Sequence, residues 1–182
     1  GIPKEYFDDI DIDTITKKHI YDAISVFKDR GAEIIEGISL PHTKYAISTY
    51  YIIAPSEASS NLARFDGVKY GYRDTTQEKL QCMYKKTRSA GFGSEVKRRV
   101  LLGTYTLSHG YYDAYYLKAL KVRRLIKNDF DNAFKKCDVL LTPTSPTTAF
   151  RLNEKASNPL SMYLSDICTV PANLAGIPAL SM

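Results

Sequence analysis

The sequence predicts an α/β fold, and three features of its hydrophobic pattern indicate this class. Residues 1–7 and 32–40 have the composition of strands and flank a helical pattern, so a strand–helix–strand unit opens the chain. The short apolar run 138–142 ends at Pro143 and is typical of a buried central strand. The run 178–182 also has the composition of a strand, and the sequence reads as if both ends were cut within a sheet.

The first predicted helix has signals at both ends. Asp13 or Thr14 can cap its start, and Gly31 can end it. Four apolar positions between them fall on one face, namely Ile20, Ala23, Ile24 and Phe27. Gly37 is a candidate bulge in the strand that follows.

The middle of the chain is helical in pattern. Residues 43–62 predict a helix with a break or kink at Pro55, and Asp66-Gly67 predicts a turn. Residues 75–88 predict a polar surface helix that stops before Gly91 and Gly93. Ser94 can then cap a helix that carries Val96, Val100, Gly103 and Leu107 on one face.

A long helix is predicted after Gly110, with one apolar stripe consisting of Val122, Leu125, Ile126, Phe130, Ala133 and Phe134. Basic residues alternate with this stripe at Lys118, Lys121, Arg123, Arg124 and Lys127. They suggest RNA binding, but a solvated helix face explains them more simply.

Composition narrows the class of protein. The chain has 182 residues, a net charge of +5 and 44% hydrophobic residues, which suits one globular domain over residues 1–182. We expect no membrane span or signal peptide, because no apolar run approaches about 20 residues. Three scattered cysteines and three scattered histidines predict neither a disulfide framework nor a metal site.

No nucleophile motif stands out. The sequence has no GxSxG elbow, no phosphate-binding loop and no GxGxxG after a strand. The pair Ser59-Ser60 lies in a helical pattern, where serine hydroxyls usually bond backbone carbonyls or face solvent.

Three long runs carry a family resemblance. The first is YYIIAPSEASSNLARFDG at 50–67, and the second is FGSEVKRR at 92–99 with LGT at 102–104 and GYYDAYY at 110–116. The third is LTPTSPTTAF at 141–150 with MYLSD at 162–166 and PANLAGIP at 171–178. In order and spacing these runs resemble the amidase-signature family, and within it the A subunits of the aspartyl/glutamyl-tRNA amidotransferases.

The resemblance implies a mixed β-sheet flanked by helices, of which this chain would form a partial domain. It also implies catalysis by a serine nucleophile, a second serine in a cis peptide and a lysine. Those three residues precede the part of the family that matches here, and this sequence has no such Gly/Ser-rich region. We therefore assign no catalytic residue.

The resemblance further implies that Tyr50, Arg99 and Asp166 bind glutamine. The chemistry suits a zwitterion: a guanidinium can hold the α-carboxylate through two parallel hydrogen bonds, and an aspartate can accept from the α-ammonium. A tyrosine hydroxyl can orient the amide or the carboxylate. Without the resemblance, Arg99 would be interpreted as a solvated member of its basic run.

The function implied is glutamine hydrolysis that supplies ammonia for the conversion of Glu-tRNA(Gln) into Gln-tRNA(Gln), in the cytoplasm. The implied partners are B and C subunits and the misacylated tRNA. ATP and Mg²⁺ would be used by the partner, and no cofactor is expected in this segment. Two alternatives stay open: a stand-alone amidase of the same family that acts on a small amide, and a non-catalytic fragment.

Overall fold

The computed structural model describes residues 1–152, 154–155 and 158–182, which are mainly helical. The α-helices are Glu5–Asp8 (α1), Thr14–Asp29 (α2), Ala46–Asn61 (α3), Leu80–Gly91 (α4), Ser94–Thr106 (α5), Lys118–Ala133 (α6), Pro159–Leu164 (α7) and Val170–Ala175 (α8). Thr43–Tyr45 and Leu62–Arg64 form 3₁₀ turns that flank α3, and Tyr112–Leu117 is π-helical.

These residues form two compact units. The first contains residues 1–50 and 121–182, and the second contains residues 51–120. The expectation of a single domain over residues 1–182 stays a prediction.

Within the part of the chain that the structure describes, the predicted sheet is present as hydrogen bonds among three segments of the first unit. Pro3 and Ile38 form a parallel bridge, with bonds from the Ile38 N–H to the Ile2 carbonyl (3.1 Å) and from the Lys4 N–H to the Ile38 carbonyl (3.0 Å). On its other side, the Gly1 amino group donates to the Val139 carbonyl at 2.7 Å, and the Leu141 N–H donates to the Gly1 carbonyl at 3.0 Å. The N-terminal segment thus lies between the other two.

Three of the predicted strands are therefore wrong in extent, because the described residues contain bridged segments and no full strand; they are 1–7, 32–40 and 138–142. The predicted strand over 178–182 is wrong, because these residues have no strand or bridge. The physical reason is visible at Glu5. Its carboxylate accepts from the Ser39 hydroxyl and the Leu40 N–H, both at 2.8 Å. The Glu5 side chain thus takes the backbone donor of Leu40 with which a strand would otherwise pair. The chain then enters α1, which buries Tyr6 and Phe7.

Both predicted ends of α2 are confirmed. Asp13 is the N-cap and accepts from the backbone N–H groups of Ile15 (3.0 Å) and Thr16 (2.9 Å). At the other end, Gly31 has φ +90° while the Ala32 N–H donates to the Phe27 carbonyl at 3.0 Å, which is a Schellman ending. The predicted apolar face is only partly covered, because Ile20 and Ile24 are half-buried whereas Ala23 and Phe27 are exposed.

The first unit builds its core around α6. Ile126, Phe130 and Ala133 are buried, which confirms the centre of the predicted stripe, whereas Leu125 and Phe134 at its edges are exposed. Tyr6 of α1 and Leu40, which follows the bridged segment 35–38, are also fully buried in this unit.

In the second unit, α5 packs against α3 without a gap at Gly103. A Cβ atom on Gly103 would lie 2.0 Å from the Pro55 carbonyl oxygen and 2.8 Å from the Ser59 hydroxyl. Nearby, the buried hydroxyls of Ser56 and Thr106 lie 2.7 Å apart. Glycine is therefore required at this point by the close approach of two backbones.

Of the predicted break or kink at Pro55, the break is wrong, because α3 continues through Pro55, which is fully buried. That burial offsets the single hydrogen bond that a proline cannot donate. The kink stays a prediction. Ser94 is also not the cap of α5; it is the first helical residue, and Gly93 precedes it without a side-chain cap.

The helix predicted from residue 75 begins only at Leu80. Asp74 explains the delay, since its carboxylate accepts from the Thr76 N–H at 3.0 Å and the Thr76 hydroxyl at 2.7 Å. The predicted turn at Asp66-Gly67 is confirmed, with Gly67 at φ +86° and a 2.9 Å bond from the Val68 N–H to Asp66.

Candidate functional site

Arg99 lies on α5 in the second unit, and neighbouring side chains fix its guanidinium. Its Nε donates to a Glu95 carboxylate oxygen at 3.0 Å, one helical turn earlier. The guanidinium carbon also lies 5.6 Å from the centre of the Tyr51 ring, within the range of a cation–π interaction. The Arg99 side chain is 35% exposed and therefore lies at the surface of this unit. The bond to Glu95 and the contact with Tyr51 restrict its orientation there.

Asp166 lies in the first unit, in the turn that joins α7 to α8. Its backbone carbonyl accepts from the N–H groups of Thr169 (3.1 Å) and Val170 (3.0 Å), and these bonds fix the start of α8. The residue is exposed. The backbone of Asp166 therefore has a structural role at the start of α8.

Tyr50 is half-buried on α3, at the end of the first unit's N-terminal segment. Tyr50 and Asp166 thus belong to one unit and Arg99 to the other. Their convergence on one ligand, and their roles in binding it, stay predictions.

A cleft of about 470 Å³ in the first unit adjoins the turn that contains Asp166. Its polar lining carries both signs of charge and includes Asp9, Asp11, Lys155, Asn158, Ser161 and Ser165. The Lys155 ammonium donates to the Ser165 hydroxyl at 2.8 Å and lies 4.4 Å from the centre of the Phe150 ring. The cleft is thus polar on the side that Lys155 and Ser165 share.

The Ser59 hydroxyl donates to the Ser56 carbonyl at 2.8 Å, as expected for a serine within a helix. Ser60 is exposed on the same helix. Within the described ranges, no group of three or more His, Cys, Asp or Glu side chains could hold a metal ion.

One polar pair was missed by sequence analysis. The His42 ring Nδ1 lies 3.0 Å from both carboxylate oxygens of Asp129, and the His42 N–H donates to the same carboxylate at 2.9 Å. The two residues are 87 positions apart, so no local spacing could reveal the contact. The pair ties the start of the Thr43–Tyr45 turn to α6.

Most of the basic residues of α6 are exposed, as both the solvated-face and the RNA-binding interpretations require. Lys118, Lys121, Arg123 and Arg124 are exposed. Arg123 nevertheless donates to the Leu174 carbonyl at 2.9 Å, and Lys127 pairs with Asp131 at 3.0 Å. Among the helices of the described residues, none combines the length and apolar character that crossing a bilayer requires.

Comparison with known proteins gives a consistent set of relatives. A family model described as Amidase matches residues 1–182. Proteins named as the A subunit of glutamyl-tRNA(Gln) amidotransferase match the whole chain, with 64% identity in Carboxydothermus hydrogenoformans and 63% in Heliobacterium modesticaldum. The chain spans 37% of the length of each of these relatives.

A crystal structure of the glutamyl-tRNA(Gln) amidotransferase A subunit from Thermotoga maritima is also similar. It is 40% identical with a TM-score of 0.66, and the match covers 99% of this chain and 35% of that one. The matched part of that structure therefore has the same fold as this chain.

Proposed function

Because the chain belongs to the amidase family, we propose that it is part of the glutamine-hydrolysing A subunit of an amidotransferase. In this proposal the whole protein releases ammonia from glutamine, and the ammonia converts Glu-tRNA(Gln) into Gln-tRNA(Gln). One observation carries the proposal: relatives with that subunit name are 58–64% identical to this chain along its entire length.

Free glutamine carries an α-carboxylate and an α-ammonium, and we assign one charged side chain to each. Arg99 would hold the carboxylate, since a guanidinium supplies two parallel donors in one plane. Asp166 would accept from the ammonium, and the Tyr50 hydroxyl would orient the amide or the carboxylate. The anchored guanidinium of Arg99 and the exposed position of Asp166 support this assignment.

Such a clamp would also give specificity. An amide without the two charged groups would leave Arg99 and Asp166 unmatched, and unmatched charges in a binding site are unfavourable. Holding both ends of glutamine would place its side-chain amide against a serine nucleophile. In the proposal, that serine and the accompanying serine and lysine belong to another part of the whole protein, and no residue of this chain is catalytic.

The three bridged segments of the first unit would belong to the mixed β-sheet of the family. In the proposal, other parts of the whole protein would lengthen this sheet on either side of the segments 35–38 and 139–141. The partners in the proposal are B and C subunits and the misacylated tRNA, with ATP and Mg²⁺ bound by a partner and the complex located in the cytoplasm.

The test compares two substrates in the full-length protein. Arg99→Lys keeps the charge but loses the planar pair of donors, and Asp166→Asn removes the charge that faces the ammonium. We expect each change to lower kcat/KM for glutamine by about 30-fold or more, and to affect a simple amide much less. Ammonia release measures both activities.

Two variants serve as matched controls. Arg124→Lys and Asp138→Asn make the same chemical changes at exposed positions, and both should behave as the unmodified protein. Equal losses for glutamine and the simple amide would contradict glutamine recognition by these residues. Efficient turnover of the simple amide with none of glutamine would favour a stand-alone amidase.

A further inference from the structure

We propose that Glu95 and Tyr51 are positioning residues that hold the Arg99 guanidinium ready for the carboxylate of the substrate. This inference rests on the proposed function, in which Arg99 binds glutamine. It assigns no contact with glutamine to Glu95 or Tyr51. Their effect is instead on the orientation of the group that makes the contact.

The first constraint comes from Glu95. One of its carboxylate oxygens accepts from Arg99 Nε at 3.0 Å, and the other accepts from an Arg98 terminal nitrogen at 2.9 Å. Glu95 is also the second residue of α5, where the helix dipole favours a negative charge. Three interactions therefore hold the Glu95 carboxylate, namely the bonds from Arg99 and Arg98 and the attraction of the helix dipole. Through its bond to Nε, the carboxylate in turn restricts the orientation of the Arg99 guanidinium.

The second constraint comes from Tyr51. Its ring centre lies 5.6 Å from the guanidinium carbon of Arg99. A cation at this distance is attracted by the ring, and the contact limits how far the guanidinium can swing away from α3. The hydrogen bond holds Nε, whereas the ring contact acts on the guanidinium carbon. Together they restrict the orientation of the guanidinium more than either does alone.

The packing of α3 against α5 makes this arrangement rigid. Arg99 lies one turn before Gly103, and Tyr51 lies one turn before Pro55, which is the residue that Gly103 touches. The buried pair of Ser56 and Thr106 fixes the next turn of the same contact. The register that closes the two helices at Gly103 therefore also sets Tyr51 opposite Arg99.

A guanidinium that is already oriented loses less conformational entropy when it binds a carboxylate. The effect should fall on the binding of glutamine rather than on the chemical step. We therefore expect Glu95→Ala and Tyr51→Leu each to raise KM for glutamine about three- to tenfold, with kcat changed less than about twofold.

The experiment measures KM and kcat of the full-length protein for glutamine and for a simple amide. Glu95→Gln keeps an acceptor for Arg99 Nε and should recover part of the loss in Glu95→Ala. Tyr51→Phe keeps the ring and should resemble the unmodified protein. Asp131→Ala is the matched control, because it breaks the 3.0 Å pair with Lys127, which has the same i,i+4 spacing on another helix.

The outcomes separate this inference from the proposed function. If Arg99→Lys leaves KM for glutamine unchanged, the assignment of Arg99 fails and the inference falls with it. If Arg99→Lys raises KM but Glu95→Ala and Tyr51→Leu do not, only the inference is overturned. A lower KM in Glu95→Ala would mean that Glu95 competes with the substrate, and equal losses for both amides would mean a purely structural role. Either result overturns the inference.

Discussion

Replacing Gly103 with alanine should loosen the second unit at the contact between α3 and α5. The new Cβ would lie 2.0 Å from the Pro55 carbonyl oxygen and 2.5 Å from its carbon, both of which belong to the backbone. Ordinary contact begins near 3.4 Å, so the two helices would have to separate by about 1.4 Å at this point. A backbone cannot rotate away as the end of a flexible side chain can.

The expected free-energy change has three parts. Strain from one extra methyl group in a packed interface costs about 1–3 kcal/mol. Separation of the helices would also break the 2.7 Å hydrogen bond between Ser56 and Thr106, which are 0% and 2% exposed, for about 1 kcal/mol. The higher helix propensity of alanine stabilises the folded state by about 1 kcal/mol relative to glycine. The net loss is therefore about 1–3 kcal/mol.

Amide hydrogen exchange of the full-length protein, followed on peptides that cover α3 and α5, measures this change locally. A loss of about 2 kcal/mol corresponds to roughly 30-fold faster exchange by local opening. Gly91→Ala is the matched control: it also replaces a helical glycine, but its Cβ would meet only Tyr72 at 3.8 Å. Gly91→Ala should slow exchange slightly or leave it unchanged. If Gly103→Ala did the same, the close approach of the two helices would be refuted.

Two further predictions concern ionisable groups in the first unit. Hydrogen bonds from the Thr16 hydroxyl and backbone lower the pKa of the Asp13 carboxyl below its usual 3.8. The ionised carboxylate therefore stabilises α2 above about pH 3.8, and this stabilisation is lost as the pH falls through the lowered pKa of the folded protein. Asp13→Ala should fray α2, so that amide exchange of α2 is faster in the variant than in the unmodified protein at pH 5 and the difference shrinks as the pH falls towards 2. Equal exchange of α2 in the two proteins at pH 5 would contradict the cap. Burial raises the pKa of the Cys168 thiol from 9.0 to about 11, so its contribution to stability is present below pH 9 and lost as the pH rises towards 11. Native alkylation at pH 8 should therefore modify the exposed Cys82 long before Cys168, and equal rates at the two thiols would contradict the burial.

Much of the helical structure could be predicted from local signals. The cap at Asp13 and the glycine ending at Gly31 place α2, because both act through backbone groups within one turn. The apolar stripe of α6 is also correct at Ile126, Phe130 and Ala133. These features depend on spacing of a few residues, and the sequence contains that spacing directly.

Other predictions were wrong or absent because a contact with a residue distant in the sequence determines the local structure. Glu5 bonds Ser39 and Leu40 from 34 and 35 positions away, and this bond ends the pairing of the first segment. Pro55 remains helical because it is buried, which its own sequence neighbourhood does not show. The contact of His42 with Asp129 joins residues 87 positions apart, and no periodicity of the sequence records it.

The candidate site divides in the same way. Tyr50, Arg99 and Asp166 could be named from the resemblance alone, since long specific runs surround each of them. The sequence by itself thus determined the family, the bounds of α2, the buried centre of α6 and the residues to test. Only the tertiary structure showed that the Arg99 guanidinium is bonded to Glu95 and faces Tyr51, and that Gly103 sets the register behind them. Residue types and spacings fix which groups are present, whereas their orientation depends on packing between helices whose contacting residues are about 50 positions apart in the sequence.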